Sequence, residues 1–235
     1  MRPWLERLRA PTLQQLNALA GEAKLRTFSG RAVQFVPPGD DGGPYEVRVF
    51  ETGRVETRPG NRHDLFNALA WLAFPRTKAL INALHAAEIP RESGRRGRKR
   101  DLLTLLDEGG AIVTCADPHL VALVHGFRWK ELFWERREEV RSAMRVVVLG
   151  HATLEQAAAP WPGITCKALF APPGPDADLA AAQWLAALPA SATPKLLAPL
   201  PVFGFPGWHP ASATEAFYDD ARYFRPLRRE AGAVK

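Results

Sequence analysis

The sequence predicts an α+β protein: β-hairpins and several packed helices around one core, with a Pro-rich aromatic C-terminal arm. Three observations predict it. YEVRVF with RVETR, and AIVTCAD after them, alternate apolar and polar residues, and RVVVL is a β-branched run. Between these blocks stand stretches whose apolar residues recur three and four apart. The two kinds of block do not alternate regularly, as a parallel sheet with crossover helices would require. Of the 235 residues, 46% are apolar and 24% charged, which excludes a disordered or collagen-like chain. No apolar run reaches the roughly 18 residues of a membrane span, and the longest uncharged stretch, 196–214, is broken by proline and glycine.

Along the chain, Thr12 predicts the cap of a helix over 12–23, with Leu13, Leu16 and Leu19 at helical spacing. Gly- and Pro-punctuated text completes an N-terminal helix and loop, 1–44. Residues 45–58 predict a hairpin turning at ETG. DLFNALAWLAF predicts an apolar helix over 64–74, and Pro75 opens the next, 76–87. A basic loop occupies 91–100. LLTLLD, EGG and AIVTCAD predict a second hairpin over 102–116, with helix as the alternative for LLTLL. Helices over 118–126 and 130–142, a buried strand at 145–149, a short helix, a strand at 164–170 and an Ala-rich helix at 178–188 complete the core, 45–188. The arm is 189–235. Without a clean linker, 1–235 reads as a single domain.

The formal charge of +6 suits an anionic partner such as nucleic acid, although an Arg- and Ala-rich composition produces the same bias without function. Two cysteines fit a reduced, cytoplasmic compartment. The opening MRPWLERLRAP has no apolar core and is not expected to be a secretion signal.

GNRHDLFNALAWLAFPRTKALINALH, RDLLTLLDEGG, LGHATLE, PLPVFGFPGWHP and FYDDARYFRP, in that order, resemble the bacterial family known as domain of unknown function 3025. The resemblance spans roughly residues 45–226. Arg62 and His209 stand where the family tends to have Trp. The resemblance implies a soluble bacterial protein, with an enzyme among the options, and assigns no particular activity.

Candidate chemistry centres on NRHDLFN. A helix starting near His63 places His63 and Asn67 one turn apart on one face. A hairpin followed by such a helix resembles the ββα-metal nucleases in part, since YEVRVF lacks their base histidine and His85 or His151 would have to supply it. Asn61 or Asp64 acting as a simple cap is the plainer reading. Asn67 lies beyond the reach of capping and needs a partner from elsewhere, with His151, Asp107, Glu108, Asp219 and Asp220 as the choices. Lys78, Asn82 and His85 share one face of the next helix and read as a solvated stripe, with a functional role as the alternative if the break at Phe74-Pro75 folds this helix back beside the first. Asp107 and Glu108 precede Gly109-Gly110, as in an ordinary turn, but could also ligate a hard cation.

The sequence therefore predicts a metal-assisted or acid-base hydrolase, nuclease-like, with His63, Asp64 and His151 as catalytic candidates. Asn67, Asp107 and Asp219 are the candidate ligands of a divalent metal, and Arg76, Arg98 and Arg100 the candidate substrate-binding cations. The alternative is a non-catalytic nucleic-acid or phosphopolymer binder using residues 91–100, where six of ten are basic. A ligand- or partner-binding protein without chemistry is the third class. No membrane partner is expected.

Overall fold

The computed structural model describes residues 11–39, 42–159, 161 and 163–227. Helix α1 (Leu13–Glu22) opens on a reciprocal cap: the Thr12 hydroxyl accepts from Gln15 N, and the Gln15 side chain accepts from Thr12 N. After β1 (Gln34–Val36), the expected hairpin at 45–58 is replaced by helix α2 (Tyr45–Thr52) and a short strand, β2 (Arg54–Glu56). Strand β2 pairs with β1 in parallel, Phe35 opposite Val55. The physical reason is punctuation. Pro44 starts the helix, and Gly53 stops it in the left-handed region, with φ 76°. A Cβ at Gly53 would also meet Ala32 O at 2.1 Å. YEVRVF fits both periods, and these two ends decide for helix.

Helices α3 (Arg62–Ala73) and α4 (Pro75–Glu88) follow as expected. Asn61 caps the first, its side chain accepting from Asp64 N at 3.0 Å, and Pro75 is the first residue of the second. The second expected hairpin, 102–116, is corrected as well. LLTLLD belongs to α5 (Arg98–Gly109), which runs directly into β3 (Gly110–Cys115). Leu102, Leu103 and Leu106 point into the core at helical spacing. Asp107 and Glu108 are thus in a last helical turn, not in a hairpin loop.

The rest of the order is α6 (Pro118–His125), a π turn at Glu131–Glu135, α7 (Arg137–Ala143), β4 (Met144–Val148), α8 (His151–Ala157), β5 (Thr165–Ala171), α9 (Ala177–Ala186) and β6 (Ala198–Pro201). The larger sheet has the order β4-β3-β5-β6, with β3 antiparallel to β4 and parallel to β5. Strand β4 is thus an edge strand, less buried than its β-branched run suggests. With two small sheets among many helices, the fold is α+β.

Alternate residues of β3 serve two cores. Ala111 and Val113 pack with Phe133, Trp129 and the aromatics of the C-terminal arm, while Ile112 packs with Leu102, Leu106 and Leu185. The arm is pinned by Tyr223, whose hydroxyl donates to Ile164 O (2.8 Å) and accepts from Phe203 N (2.9 Å). A third cluster joins Leu16, Phe35, Val55 and Trp71. No helix among the described residues is long and apolar enough to cross a membrane.

Leu65 and Leu69 of α3 are only half-buried, whereas Leu106 is fully buried. Leu106→Ala is therefore expected to cost about 2–5 kcal/mol through the cavity it leaves. Leu69→Ala should cost clearly less. Urea unfolding of the two variants checks the order.

Candidate functional site

Three helices each deliver one ligand-type side chain to a common point. His63 is the second residue of α3, Glu108 lies in the last turn of α5, and His151 is the first residue of α8. Main-chain bonding sets Glu108 beside His151. The Gly110 carbonyl accepts from both Leu149 N (3.0 Å) and Gly150 N (2.9 Å), so the α5–β3 and β4–α8 junctions lie side by side. Packing of α3 on α8 brings His63 onto the pair.

His63 Nε2 stands 3.1 Å from His151 Nε2 and 3.8 Å from Glu108 Oε2, and His151 Nε2 is 3.4 Å from Glu108 Oε2. A tetrahedral ion with bonds of about 2.0–2.2 Å holds its ligand atoms roughly 3.3–3.6 Å apart. The triangle thus approximates one face of such a tetrahedron. The opposite ring nitrogens face carboxylates. His63 Nδ1 is 3.3 Å from Glu155 Oε2, one turn beyond His151 on α8, and His151 Nδ1 is 3.9 Å from Asp107 Oδ2. Carboxylates behind imidazoles commonly orient metal-ligating histidines. His151 Nδ1 is buried, and neither that carboxylate nor the Asp107 main chain forms a well-made hydrogen bond with it.

Burial pushes the His151 imidazole down to about 4, against the pull of Asp107, leaving the ring neutral at pH 7 with a lone pair to offer. Burial also raises the Glu108 carboxyl, and Asp107 adds to the rise. For Asp107, burial works in the same direction, but the Lys78 ammonium and then His151 outweigh it and hold the carboxyl below its ordinary range.

The triangle opens on a cavity of about 460 Å³. At its middle, Lys78 is only 3% exposed. Its Nζ bonds Asp107 Oδ1 at 2.5 Å and Asn67 Oδ1 at 2.8 Å, and lies 5.7 Å from the Trp71 ring centroid. Tyr45 lies beside Asn67 and Asp107, and burial drives its hydroxyl above the ordinary range. At the far end, Asn82 donates to the Glu46 carbonyl (2.8 Å), and His85 Nδ1 accepts from Arg100 Nε (3.1 Å). That bond places the proton of the neutral His85 ring on Nε2, and burial lowers its pKa.

Residues 33–228, which contain this whole cavity, match the family described as protein of unknown function (DUF3025). The chain belongs to the DUF3025 family. No curated protein and no solved structure matches this DUF3025 chain.

Of the residues the sequence singled out, the DUF3025 fold brings together His63, His151, Asp107 and Glu108, with Asn67 one shell away on Lys78. Asp64 lines the cavity but is engaged by Arg58, whose two hydrogen bonds at 2.7 and 2.9 Å hold its carboxyl below the ordinary range. Asp219 is not in the cavity; it is exposed and bonded to Lys130 (2.8 Å). Asp220 pairs with Arg222. Arg76 serves the α4–α9 contact, where Asp176 and Asp178 take its side chain and main chain. Arg98 is exposed at the start of α5, and Arg100 is taken by Glu46 and Glu92. The basic segment answers further charge internally, since Arg91 and Lys99 both reach Glu88.

The stripe Lys78, Asn82 and His85, expected to be solvated, is instead buried in this DUF3025 chain, because α2 packs over α4. Glu155, Tyr45 and Glu46 escaped the sequence reading as site residues, and Lys78 entered it only within the stripe. The His151–Glu155 spacing, one helical turn, was the available signal for Glu155.

Proposed function

We propose that the His63–Glu108–His151 triangle holds one divalent metal ion, zinc first among the choices, and that the protein is a metal-assisted hydrolase. The observation that supports this best is the triangle itself: three ligand atoms from three helices, 3.1, 3.4 and 3.8 Å apart, with a carboxylate behind each imidazole. Two histidines and one glutamate with an open fourth position form a donor set of catalytic zinc, whereas structural sites are closed by four protein ligands. An ion there would act as a Lewis acid and bring the pKa of a bound water toward about 7. The chain's own groups supply the setting. His151 stays neutral, Glu155 stands behind the His63 ring, Asp107 faces the His151 ring and anchors Lys78, and the cavity admits the substrate. In this reading Glu108 takes the ligand role, while Asn67 and Asp107 support it from behind and Asp219 has no part.

Added zinc is expected to raise the melting temperature by about 5–11 °C. An ion at a hundred times its Kd stabilises by about 2.7 kcal/mol, and a domain of this size gains roughly 2–4 °C per kcal/mol. A chelator should reverse the shift, and elemental analysis should find one ion per chain. No shift and no bound ion would remove the reading.

A further inference from the structure

We infer that the substrate class is a neutral carbonyl compound, an ester or amide, and that Lys78 donates the hydrogen bond that stabilises its oxyanion. This rests on the metal-centre reading above and adds to it the substrate's charge and a second catalytic group.

The charge inventory of the cavity carries the first half. Among the described residues that line it, the fixed cations are Arg58, Lys78 and Arg96, against the carboxylates Glu46, Glu56, Asp64, Asp107 and Glu108. Arg58 is engaged by Asp64 and Lys78 by Asp107. Glu56 is matched by Arg48, and Glu46 by Arg100. Among the described residues, only the exposed Arg96 adds positive charge at the rim. A phosphodiester anion would need fixed cations free to meet it, and the interior cations among the described residues are each taken by a carboxylate, with Glu108 left over. A divalent ion answered by Glu108 and, behind His63, by Glu155 leaves the centre close to neutral, which suits a substrate neutral in its ground state and anionic only in the transition state.

Lys78 carries the second half. A buried ammonium has three N–H groups to satisfy. Asp107 Oδ1 and Asn67 Oδ1 take two, and both acceptors hold the Nζ in place above Trp71. The third is left for a group in the cavity that Lys78 lines. In the reaction, a water oxygen attacks the carbonyl carbon and the C=O π pair moves to oxygen. Lys78 hydrogen-bonds that alkoxide. The pair returns as the bond to the leaving amine or alcohol breaks, and the proton lost by water ends on the leaving group. One water is consumed, and an acid and an amine or alcohol are formed. A preorganised donor at that position contributes about 10²–10³ in kcat.

The test uses the cobalt(II)-loaded full chain, whose visible spectrum reports metal binding before any substrate is added. The rate enhancement over the uncatalysed reaction is then compared for p-nitrophenyl acetate and bis(p-nitrophenyl) phosphate. The ester enhancement is expected to be the larger by at least about 10²-fold. Lys78→Met should lower kcat for the ester about 10²–10³-fold while KM and cobalt affinity stay near wild type. A merely structural role would move cobalt affinity and KM as much as kcat. If the lone Asp107 left by Lys78→Met prevents folding, the double variant Lys78→Met/Asp107→Asn removes the pair together and is assayed at saturating cobalt. Cleavage confined to the phosphodiester, no cleavage of either probe, or an unchanged kcat in the variants overturns the assignment. Failure of the wild type to bind cobalt is seen separately, and removes the metal centre and this inference with it.

Discussion

His151→Ala is expected to weaken zinc binding by roughly three orders of magnitude. Zinc bound by a small protein site is worth about 10–16 kcal/mol. Shared among three protein ligands, that is about 3–5 kcal/mol each, and every 1.4 kcal/mol is tenfold. His151 is also buried, so the variant will lose stability through packing. His63 is half-exposed, and His63→Ala should lose as much metal affinity at a smaller cost in melting temperature. The comparison separates ligation from packing. Glu155→Gln, which stands behind the His63 ring, should lose about 10–100-fold, and Asp107→Asn, which also breaks the Lys78 ion pair, should lose at least as much. Asp219→Asn should lose nothing, since that carboxylate faces Lys130 at the surface. Calorimetric titration with zinc measures all five. Unchanged affinity in both histidine variants would contradict the site.

The parts of the fold that could be read from the sequence are those whose ends carry their own chemistry. Thr12 with Gln15, Asn61 before α3, and Pro75 at the head of α4 announce their helices by hydrogen bonds made locally. RVVVL and TCKALF are strands for an equally local reason, since neither offers a polar face at helical spacing. Residues 45–58 and 102–109 misled because short apolar runs fit both periods. There the outcome rests on contacts from elsewhere, with Ala32 against Gly53 and the core around Leu102 and Leu106.

The site was legible as a set of nominations and not as a geometry. His63, His151, Asp107 and Glu108 stand out because polar side chains interrupt apolar elements. Nothing within any one element tells which of them meet. Positions 63, 108 and 151 converge only because β3 pairs with β4 and α3 packs on α8. Lys78 shows the limit most plainly. A polar stripe on a helix looks the same in sequence whether water or α2 covers it, and here burial turned the stripe into a cavity wall.

Gly150→Ala is expected to damage fold and site together. The backbone at Gly150 has φ −62° and ψ 116°, which alanine adopts freely, so the objection is steric. A Cβ there would lie 2.5 Å from Gly110 N, 2.6 Å from Glu108 O and 2.6 Å from Gly109 Cα. All three are main chain, so no rotamer change relieves the clash. The β4–α8 junction must retreat from the α5–β3 junction, stretching the bonds from Leu149 N and Gly150 N to Gly110 O. Overpacking of this kind costs about 3 kcal/mol, or roughly 6–12 °C in melting temperature for a chain of this length. The same retreat carries His151 away from Glu108, whose oxygen now stands 3.4 Å from its Nε2. An opening of about 1 Å leaves that pair too far apart for one tetrahedral ion, so zinc affinity should fall at least about tenfold. Gly21→Ala is the control: it sits in α1 with nothing within 4 Å of the new Cβ, and should be neutral or stabilising by up to about 1 kcal/mol. A Gly150→Ala protein that melts and binds zinc like the wild type would mean that this junction does not position His151. Stability lost with zinc affinity intact would confine the contact to the fold.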